Sequence, residues 1–441
     1  MAAINASVYE KFIIESVDGS KNVDVSRGVI TFAYYEDIFS PTVTAKVIIT
    51  NDGNTIKGPD GEMTSLYNGL PIRGGERVII KIAGNSKNNP GIDFSEDISK
   101  YFYVSSIKNV IQNTKSESFV LDLVPRETIT NETSRVGRKY PASTSISDSV
   151  KDIVKKYLKT DKLKDINVDK TQNPYGFLGN LRKPFTVLTW LASKSVPGEV
   201  SGKDATAGYL FFETVDGYHF KSIDSLIAGN PHEDTYVYTE VTKSEMSDND
   251  FKILQYTTNK NQDLLSNLKR GAYCSHRIFF NPLNFTYTNP EKGLFKMENY
   301  VGKTENLGKD IDLPSIGDDS GKTLGDIPSR NITAVMDIGT LEKNASVKDN
   351  ADPTKIFSQA MMRYNTTLTQ TMSLTIPSNT NLRAGDIIKC QFPRIDRSEK
   401  SDKDEEQSGL YMIKELCHFF DSSGSYTSLK LLRDTFGRKE K

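Results

Sequence analysis

Two segments of this 441-residue chain, residues 75–128 and residues 385–435, follow the same order of β-like runs and turns. Each opens with a glycine and an acidic residue and closes with arginine, an acidic residue and threonine. Apolar runs rich in β-branched and aromatic residues lie between these ends and are typical of strands. We therefore predict one β module that occurs twice. The matched segments are Gly75-Glu76 with Gly385-Asp386, Tyr101-Phe102-Tyr103-Val104 with Leu410-Tyr411-Met412-Ile413, Phe119-Val120-Leu121-Asp122-Leu123 with Tyr426-Thr427-Ser428-Leu429-Lys430-Leu431, and Arg126-Glu127-Thr128 with Arg433-Asp434-Thr435.

A duplicated module has a consequence for assembly. Two similar modules in each chain give a homo-oligomer twice as many similar surfaces as subunits, and homo-oligomers usually close into symmetric rings. Three copies would form a pseudo-sixfold ring. The residues leave one alternative open, because two unrelated antiparallel meanders share turn chemistry and alternating apolar residues.

Composition and charge exclude several classes of protein. The formal net charge is −1, so the chain lacks the globally basic surface that drives nucleic-acid binding through phosphate contacts. No run approaches the ~18 apolar residues of a membrane-spanning helix, and the first residues lack the pattern of a secretory signal. Cys274, Cys390 and Cys417 are too scattered for a disulfide framework. We expect a chain kept in solution with reduced thiols.

The first 128 residues are predicted to form a barrel-sized antiparallel module. Residues 9–49 carry three β-branched and aromatic runs, and Asp18-Gly19 and Asn51-Asp52-Gly53 mark the turns between them. Together with the strands of residues 75–128, these runs give about six strands.

Three helices are predicted to buttress the sheets. Ser147 is expected to cap the first, Pro184 to open the second, and Asp352-Pro353 to begin the third. Their apolar faces are Val150, Ile153, Val154, Tyr157 and Leu158; Phe185, Leu188, Leu191 and Ala192; and Ile356, Phe357, Ala360, Met361 and Tyr364.

Asp216-Gly217 lies between two apolar runs and predicts a β-hairpin. With residues 252–256, this hairpin is expected to supply the front strands of the second module. The polar loops 85–100 and 394–408 are solvated tips or partner contacts.

The predicted fold is mainly β (α+β), with two tail-tube-like antiparallel β-barrel modules and an interposed helical or irregular domain. The predicted divisions are 1–128, first module; 129–206, helical accessory segment; 207–257, front strands of the second module; 258–351, irregular insertion including the Gly-, Asp- and Asn-rich residues 289–350; 352–435, helix and remaining strands; and 436–441, basic tail.

Two possible ligand sites do not meet the requirements of their chemistry. Residues 317–323 end like a phosphate-binding loop, but Ile316 stands where the first glycine belongs, and Pro328 would cut off the helix that must follow. Cys274, His276, Cys417 and His418 lack the paired spacing of zinc ligands. Buried thiols and ordinary polar histidines explain them better.

No catalytic, cofactor-binding or metal-ligating residue is assigned. The four histidines, His219, His232, His276 and His418, are not accompanied by a G-x-S-x-G nucleophile motif. The many carboxylates leave glycoside hydrolysis open, but no pattern indicates it. Trp190 lies in an apolar helical stripe and is expected in the core rather than on a sugar platform.

The order of these elements resembles the baseplate hub protein of contractile-tailed, T-even-like bacteriophages, including marine and cyanobacterial relatives. The resemblance runs through the strand pair of residues 101–104 and 119–123, the helices near Ser147 and Pro184, and the Asp216-Gly217 hairpin. It continues through the helix of residues 356–364, the run of residues 381–388 and the closing strands to Arg433. It covers most of the chain and rests on pattern and order.

The resemblance implies a homotrimeric ring that joins a threefold central spike to a sixfold tail tube. It implies no enzymatic activity and no cofactor. The implied partners are a spike or tail lysozyme in another chain, tube-initiating proteins and baseplate wedge proteins, and DNA passes through the lumen without specific binding. The implied location is the tail baseplate of the virion, after assembly in the host cytoplasm. We expect a lumen lined by polar, non-basic side chains, because a basic lining would bind the passing DNA.

Two alternatives from other classes stay open at this point. One is a glycan-active enzyme of the tail, which predicts release of sugars from a polysaccharide. The other is a monomeric adhesion or carbohydrate-binding protein, which predicts saturable glycan binding without self-assembly.

Overall fold

The computed structural model describes residues 4–52, 54–58, 61–70, 72–198, 200, 205–238, 250–260, 263–282, 284–287, 293–300, 304–310, 313–317, 321–337, 356–394 and 403–437. Strands account for 43% of the structure and helices for 19%, which confirms the predicted mainly β class. Among the described residues, no helix has the length and apolar character needed to cross a membrane.

The N-terminal module is built from antiparallel strands with apolar residues alternating toward one core. In β7 of this module, for example, Val78, Ile80 and Ile82 are buried while the residues between them are partly exposed. The period of two is that of a strand with one buried face. The strands are β1 (Tyr9–Glu15), β2 (Asn22–Asp24), β3 (Val29–Asp37), β4 (Thr44–Asp52), β5 (Ile56–Lys57), β6 (Met63–Thr64), β7 (Arg77–Ala83), β8 (Gly91–Asp93), β9 (Phe102–Gln112) and β10 (Ser116–Pro125), with the short helix α1 (Leu66–Gly69).

A helical segment and a hairpin follow this module. The middle elements are α2 (Arg126–Thr133), β11 (Lys139–Tyr140), α3 (Ile146–Ile153), the π-helix Val154–Leu158, β12 (Phe177–Leu178), α4 (Pro184–Ala192), β13 (Tyr209–Thr214), β14 (Gly217–Ser222) and α5 (Ile223–Ile227). The remaining elements are β15 (Pro231–Tyr238), β16 (Lys252–Ile253), β17 (Gln255–Lys260), α6 (Leu264–Arg270), β18 (Cys274–Asn281), β19 (Thr286–Tyr287), β20 (Leu294–Lys296), β21 (Arg330–Val335), α7 (Ile356–Thr367), β22 (Gln370–Pro377), β23 (Ile387–Gln391), β24 (Gly409–Asp421) and β25 (Ser425–Arg433). Single 3₁₀ turns lie at Ser26–Gly28, Ile98–Lys100, Asp165–Asn167 and Met297–Asn299.

The strand order of the N-terminal module occurs a second time near the C-terminus. The first module has the spatial order β2-β1-β7-β9-β10-β4-β3, and the second has β16-β15-β23-β24-β25-β22-β17. Equivalent strands also follow one another in the same order along the chain. One direction differs, because β1 pairs antiparallel with β7 whereas β15 pairs parallel with β23. A shared order of seven strands is more than two unrelated meanders require.

Backbone hydrogen bonds fix which residues of the two modules are equivalent. The N–H of Gly75 donates to the carbonyl of Val104, and the N–H of Gly385 donates to that of Ile413. Val104 and Ile413 lie opposite Leu123 and Leu431 of the next strand. By this register Arg433 corresponds to Pro125, so the predicted match between Arg126 and Arg433 is out by one residue.

The predicted hairpin around Asp216-Gly217 is present, but its place in the fold differs from the prediction. Strands β13 and β14 pair with each other and with no other strand of the described structure, apart from one isolated bridge between Phe220 and Val168. Their side chains instead face two apolar cores, with Tyr209 and Phe211 toward the helical segment and Leu210 and Phe212 toward the second module. Both faces of the hairpin are therefore buried. Alternation of apolar and polar residues along a strand predicts only one buried face, so it does not reveal this arrangement. The front strands of the second module are β15, β16 and β17.

Part of the segment predicted as an irregular insertion forms a small sheet. Strand β18 pairs antiparallel with β19 and β20 and parallel with β21. Its core includes Tyr273, Phe295 and Met297, packed against Met362 of α7. The sequence hid this sheet because β19 and β20 are very short and β21 is distant in the chain from β18, with which it pairs.

The predictions for α3 and α4 hold apart from one cap, whereas the predicted apolar face of α7 is only partly correct. Ala360 is buried and Ile356 and Tyr364 are partly buried beside it, but Phe357 is exposed and Met362 is buried rather than Met361. Pro184 begins α4, and the apolar residues predicted on α3 and α4 are buried against one another. The N-cap of α3 is Ser145, whose side chain accepts from the N–H of Asp148, so the prediction of Ser147 was two residues late. The predicted start of α7 at Asp352-Pro353, most of the loop 394–408, parts of residues 289–350 and residues 438–441 lie outside the described residues.

Candidate functional site at the junction of the modules

The two modules are joined by direct strand pairing within the chain. Residues 31–37 of β3 pair antiparallel with residues 415–421 of β24, without a register shift. Fifteen strands of the described chain thus form one continuous sheet. Backbone hydrogen bonds across this junction make the relative position of the modules rigid. We call this contact the module junction.

Side chains bury the inner face of the module junction. Phe32 stacks on Phe420 with ring centroids 6.4 Å apart, and Tyr34 stacks on His418 at 6.2 Å. His418 is 1% exposed, and its Nδ1 lies 3.1 Å from Oγ1 of Thr427. Burial lowers the pKa of His418 to about 3, so the imidazole is neutral at physiological pH.

Glu36 ties three parts of the fold together. Its buried carboxylate accepts from the hydroxyl of Tyr34 at 2.9 Å, the N–H of Val215 at 2.7 Å and the N–H of Ala384 at 2.9 Å. These donors belong to the first module, the hairpin turn and the second module. Burial raises the pKa of Glu36 to about 7, although nearby Arg383 and the three donors favour the charged form.

A buried acid–base–acid group anchors the hairpin to the first module. The Nζ of Lys162 lies 2.9 Å from Glu127 and 3.1 Å from Glu213, and both carboxylates are buried. Glu213 also accepts from the N–H of Val43 at 3.2 Å. Burial opposes the charge on Lys162, but the carboxylates of Glu213 and Glu127 outweigh it and raise the pKa of the ammonium. The lysine is therefore held charged.

A second group of the same kind anchors the hairpin segment to the second module. Arg363 of α7 lies 2.5 Å from Asp224 and 3.1 Å from Asp434, and all three side chains are buried. Asp434 is the first residue after β25, and Glu127 is the second residue after β10. Each module thus presents an acidic residue just after its last strand, and each is linked through one base to the segment of residues 209–224. These networks hold the modules and the hairpin in fixed positions.

A cleft of about 400 Å³ lies between the first module and the hairpin. Its charged lining is mixed, because lysines alternate with carboxylates, and Lys162 is already engaged by Glu127 and Glu213. The charged residues of the lining are Asp97, Lys100, Arg126, Lys159, Asp161, Lys162, Lys164, Glu213 and Asp216.

The structure keeps apart the cysteine and histidine residues that were considered as metal ligands. Cys274 and His276 lie on β18 of the small sheet, whereas Cys417 and His418 lie on β24 of the large sheet. Within the described residues, no three histidine, cysteine or acidic side chains form a metal-binding group. Cys274 and Cys390 are buried and Cys417 is half-buried.

The residues of the phosphate-loop-like segment are engaged locally. Thr323 pairs with Ser315 in an isolated bridge, and its N–H donates to the carboxylate of Asp326 at 2.9 Å. The described residues after Thr323 form a turn rather than a helix. Asp318, Asp319 and Ser320 lie outside the described residues.

The other histidines and Trp190 have structural surroundings. His219 stacks on Phe212 at 4.9 Å, and burial lowers its pKa to about 4. His232 lies 3.1 Å from Asp386, and the hydrogen bond to that carboxylate raises its pKa. Trp190 is partly buried and packs edge-on against Tyr175 and Phe177, beside the core of the helical segment rather than inside it.

The sequence analysis missed the buried charges at the junction. A usable signal exists for Glu36, because it continues the inward-facing positions Phe32 and Tyr34 at a spacing of two. An ionisable residue at an inward position requires partners and so points to a polar junction. Lys162, Arg363 and Asp224 carry no comparable signal, because their partners are distant in sequence.

Searches with this sequence against family models and curated proteins returned no match. Solved structures do show the same fold. The 43 kDa tail protein of prophage MuSo2 from Shewanella oneidensis is 9% identical, with a TM-score of 0.52 over 96% of this chain and 98% of that one. The tail protein from Neisseria meningitidis MC58 is 11% identical, with a TM-score of 0.51 over 97% of both chains. The chain therefore shares the fold of these two tail proteins along nearly its whole length.

Proposed function

We propose that this chain is a structural protein of a phage tail and, more specifically, the central hub of the baseplate. The observation that carries the proposal is the seven-strand order that occurs twice in one chain. The full-length similarity in fold to two tail proteins supports the broader assignment. The resemblance to baseplate hubs supports the finer one.

The proposed assembly is a homotrimer that forms a pseudo-sixfold ring. Each chain contributes two similar modules, already joined side by side through β3 and β24. A ring of three chains would alternate such internal junctions with junctions between chains. It would present threefold symmetry to a central spike and near-sixfold symmetry to a tail tube.

The proposed mechanism is mechanical rather than catalytic. The buried acid–base–acid groups and the module junction keep the two modules from shifting under load. In this proposal, the chain binds a spike or tail lysozyme protein, tube initiators and wedge proteins, and it needs no cofactor. It is located in the baseplate of the virion, and its lumen lets DNA pass. A polar, non-basic lumen predicts that the purified ring does not bind duplex DNA at physiological salt.

The native mass of the chain, measured by light scattering, tests the proposal. We expect three times the mass of the 49.3 kDa chain, alone at high concentration or together with its spike protein. A chain that stays monomeric under both conditions contradicts the ring. Saturable binding of a monomer to a glycan would instead support the adhesion alternative, and release of sugars would support the enzyme.

A further inference from the structure

The two strands of the module junction each have an equivalent strand elsewhere in the chain, and these equivalent strands are not paired with each other. In the strand equivalence, β9 corresponds to β24 and β17 corresponds to β3. β24 and β3 pair with each other inside the chain, but β9 and β17 do not. The chain therefore has one junction made and the two halves of a second junction left apart.

The edge of β9 that corresponds to the junction edge of β24 is open. β7 pairs with β9 only at Phe102 and Tyr103, and no strand of the described chain pairs with that edge over residues 106–112. Val110 is 40% exposed and Ile111 is 67% exposed. At the corresponding positions of β24, where β3 pairs, His418 is buried and Phe419 is half-buried. Open strand edges with exposed apolar residues recruit further strands.

The edge of β17 is open in the same way. β17 pairs with β22 on one side, and no strand in the described part of the chain pairs with its other side. The side chain of Thr257 is exposed. In the first module, the matching edge of β3 is covered by β24.

We propose that the open edge of β9 pairs antiparallel with the open edge of β17 of a second copy of this chain, repeating the module junction between subunits. This inference rests on the proposed ring and names the interface that closes it. Repetition of one junction, alternately within and between chains, is how a duplicated module closes a ring.

The register of the proposed pairing follows from residue equivalence. Ile111 lies opposite Ser118 in the first module, and Phe419 lies opposite the equivalent residue, Tyr426, in the second. Ile111 and Phe419 are therefore equivalent. Thr257 lies opposite Ser373 of β22, and Ala33 lies opposite the equivalent residue, Lys46, of β4. Thr257 and Ala33 are therefore equivalent. Because Phe419 pairs with Ala33 in the module junction, Ile111 is expected to lie opposite Thr257 of the neighbouring subunit.

Two irregularities support this register independently. β9 carries an extra residue between Lys108 and Ile111, where Asn109 has a φ of 52°. β17 also carries an extra residue, between Thr258 and Lys260. The module junction has neither.

In the proposed pairing, the two extra residues face each other. Lys108 then lies opposite Lys260, just as Ile111 lies opposite Thr257, so the pairing register is the same on both sides of the extra residues. A bulge in only one strand would shift the pairing by one residue and turn its side chains to the other face. The ammonium of Lys108 is already paired with Asp122, which limits repulsion across the strands.

A disulfide cross-link tests the interface. Directly opposed residues in antiparallel strands have Cα atoms about 4.5–5.5 Å apart, which a disulfide can span. The Ile111→Cys, Thr257→Cys double variant is expected to give covalent dimers and trimers on mild oxidation. Each single variant should give none. The out-of-register pair Ile111→Cys with Asn259→Cys, also at an exposed position of β17, should cross-link several-fold less.

A charge at the edge gives a second measurement that does not depend on disulfide geometry. Ile111→Asp should lower the trimer fraction at least tenfold while leaving the circular dichroism of the chain unchanged. Ile166→Asp is the matched control, because Ile166 is 80% exposed on the helical segment, away from both edges. It should leave the trimer intact.

The outcomes separate this interface from the proposed function. A wild-type trimer that gives no more cross-linking in the Cys pair than in its controls, or that tolerates Ile111→Asp, overturns this interface and leaves the ring standing. A wild-type chain that stays monomeric at every concentration and with its spike overturns both.

Discussion

Gly75 and Gly385 hold the same unusual backbone conformation just before the equivalent strands β7 and β23, with φ angles of 94° and 96°. Each donates its N–H to the equivalent carbonyl of its module, Val104 of β9 or Ile413 of β24, at 2.8 Å in both cases. An L-residue with a side chain rarely adopts such an angle, so both positions require glycine. This requirement comes from the backbone conformation alone and does not depend on similarity at other positions. The two glycines are therefore the strictest sequence marker of the repeat.

Alanine at either glycine should therefore destabilise the chain. We expect Gly385→Ala to lower the free energy of unfolding by roughly 1–3 kcal/mol, because a strained backbone costs about that much. Its added Cβ would also lie 3.4 Å from the ring of Phe212. Urea unfolding measures the change. Gly198→Ala is the control, because Gly198 has open space and no positive φ, and equal losses at the two positions would contradict the argument.

Removal of the base between Asp224 and Asp434 should be more damaging than loss of a surface ion pair. Arg363→Met keeps most of the side-chain volume but leaves two buried carboxylates without their partner. We expect a loss of roughly 3–5 kcal/mol in unfolding free energy. Lys151→Met is the control, because its partner Asp165 is exposed, and its loss should stay below about 1 kcal/mol. Similar losses in both variants would show that the buried network is dispensable.

Glu36 should make the stability of the junction depend on pH. Its pKa is about 7 in the folded chain against an ordinary value of 4.5, so the folded state holds the proton over a range in which the unfolded state has lost it. The contribution of Glu36 to stability is therefore present below pH 4.5 and falls as pH rises toward 7. Glu36→Gln removes this titration.

The measurement is urea unfolding of both proteins at pH 5 and pH 7.5. The stability of the wild-type chain relative to Glu36→Gln should fall by about 2 kcal/mol between these pH values. Other titrating groups are common to both proteins and cancel in the comparison. A stability difference that is the same at the two pH values would contradict the assignment of this titration to Glu36.

The sequence predicts local features of this fold better than it predicts how they pair. The Asp216-Gly217 turn and the start of α4 at Pro184 depend on neighbouring residues, and both are present as predicted. The pairing of β3 with β24 joins residues almost four hundred positions apart, and no local pattern encodes it. The same holds for Lys162 and Arg363, whose partners are set by the tertiary fold. Glu36 is the exception, since its inward position can be read from the alternation of β3.

The three cysteines should be chemically inert in the folded chain. Burial raises the pKa of Cys274 and of Cys417 to about 11 and raises that of Cys390 further still, so the reactive thiolate is scarce at pH 7.5. Steric access is also limited, because Cys390 lies in the core of the second module with Tyr411. We expect a maleimide reagent to label none of the three in the native chain over minutes and all three after denaturation, as measured by intact mass. An introduced Ile166→Cys, which is exposed on the helical segment away from both strand edges, should react rapidly under the same conditions. Fast labelling of a native cysteine would show that its segment opens, and it would identify which of the two sheets opens first.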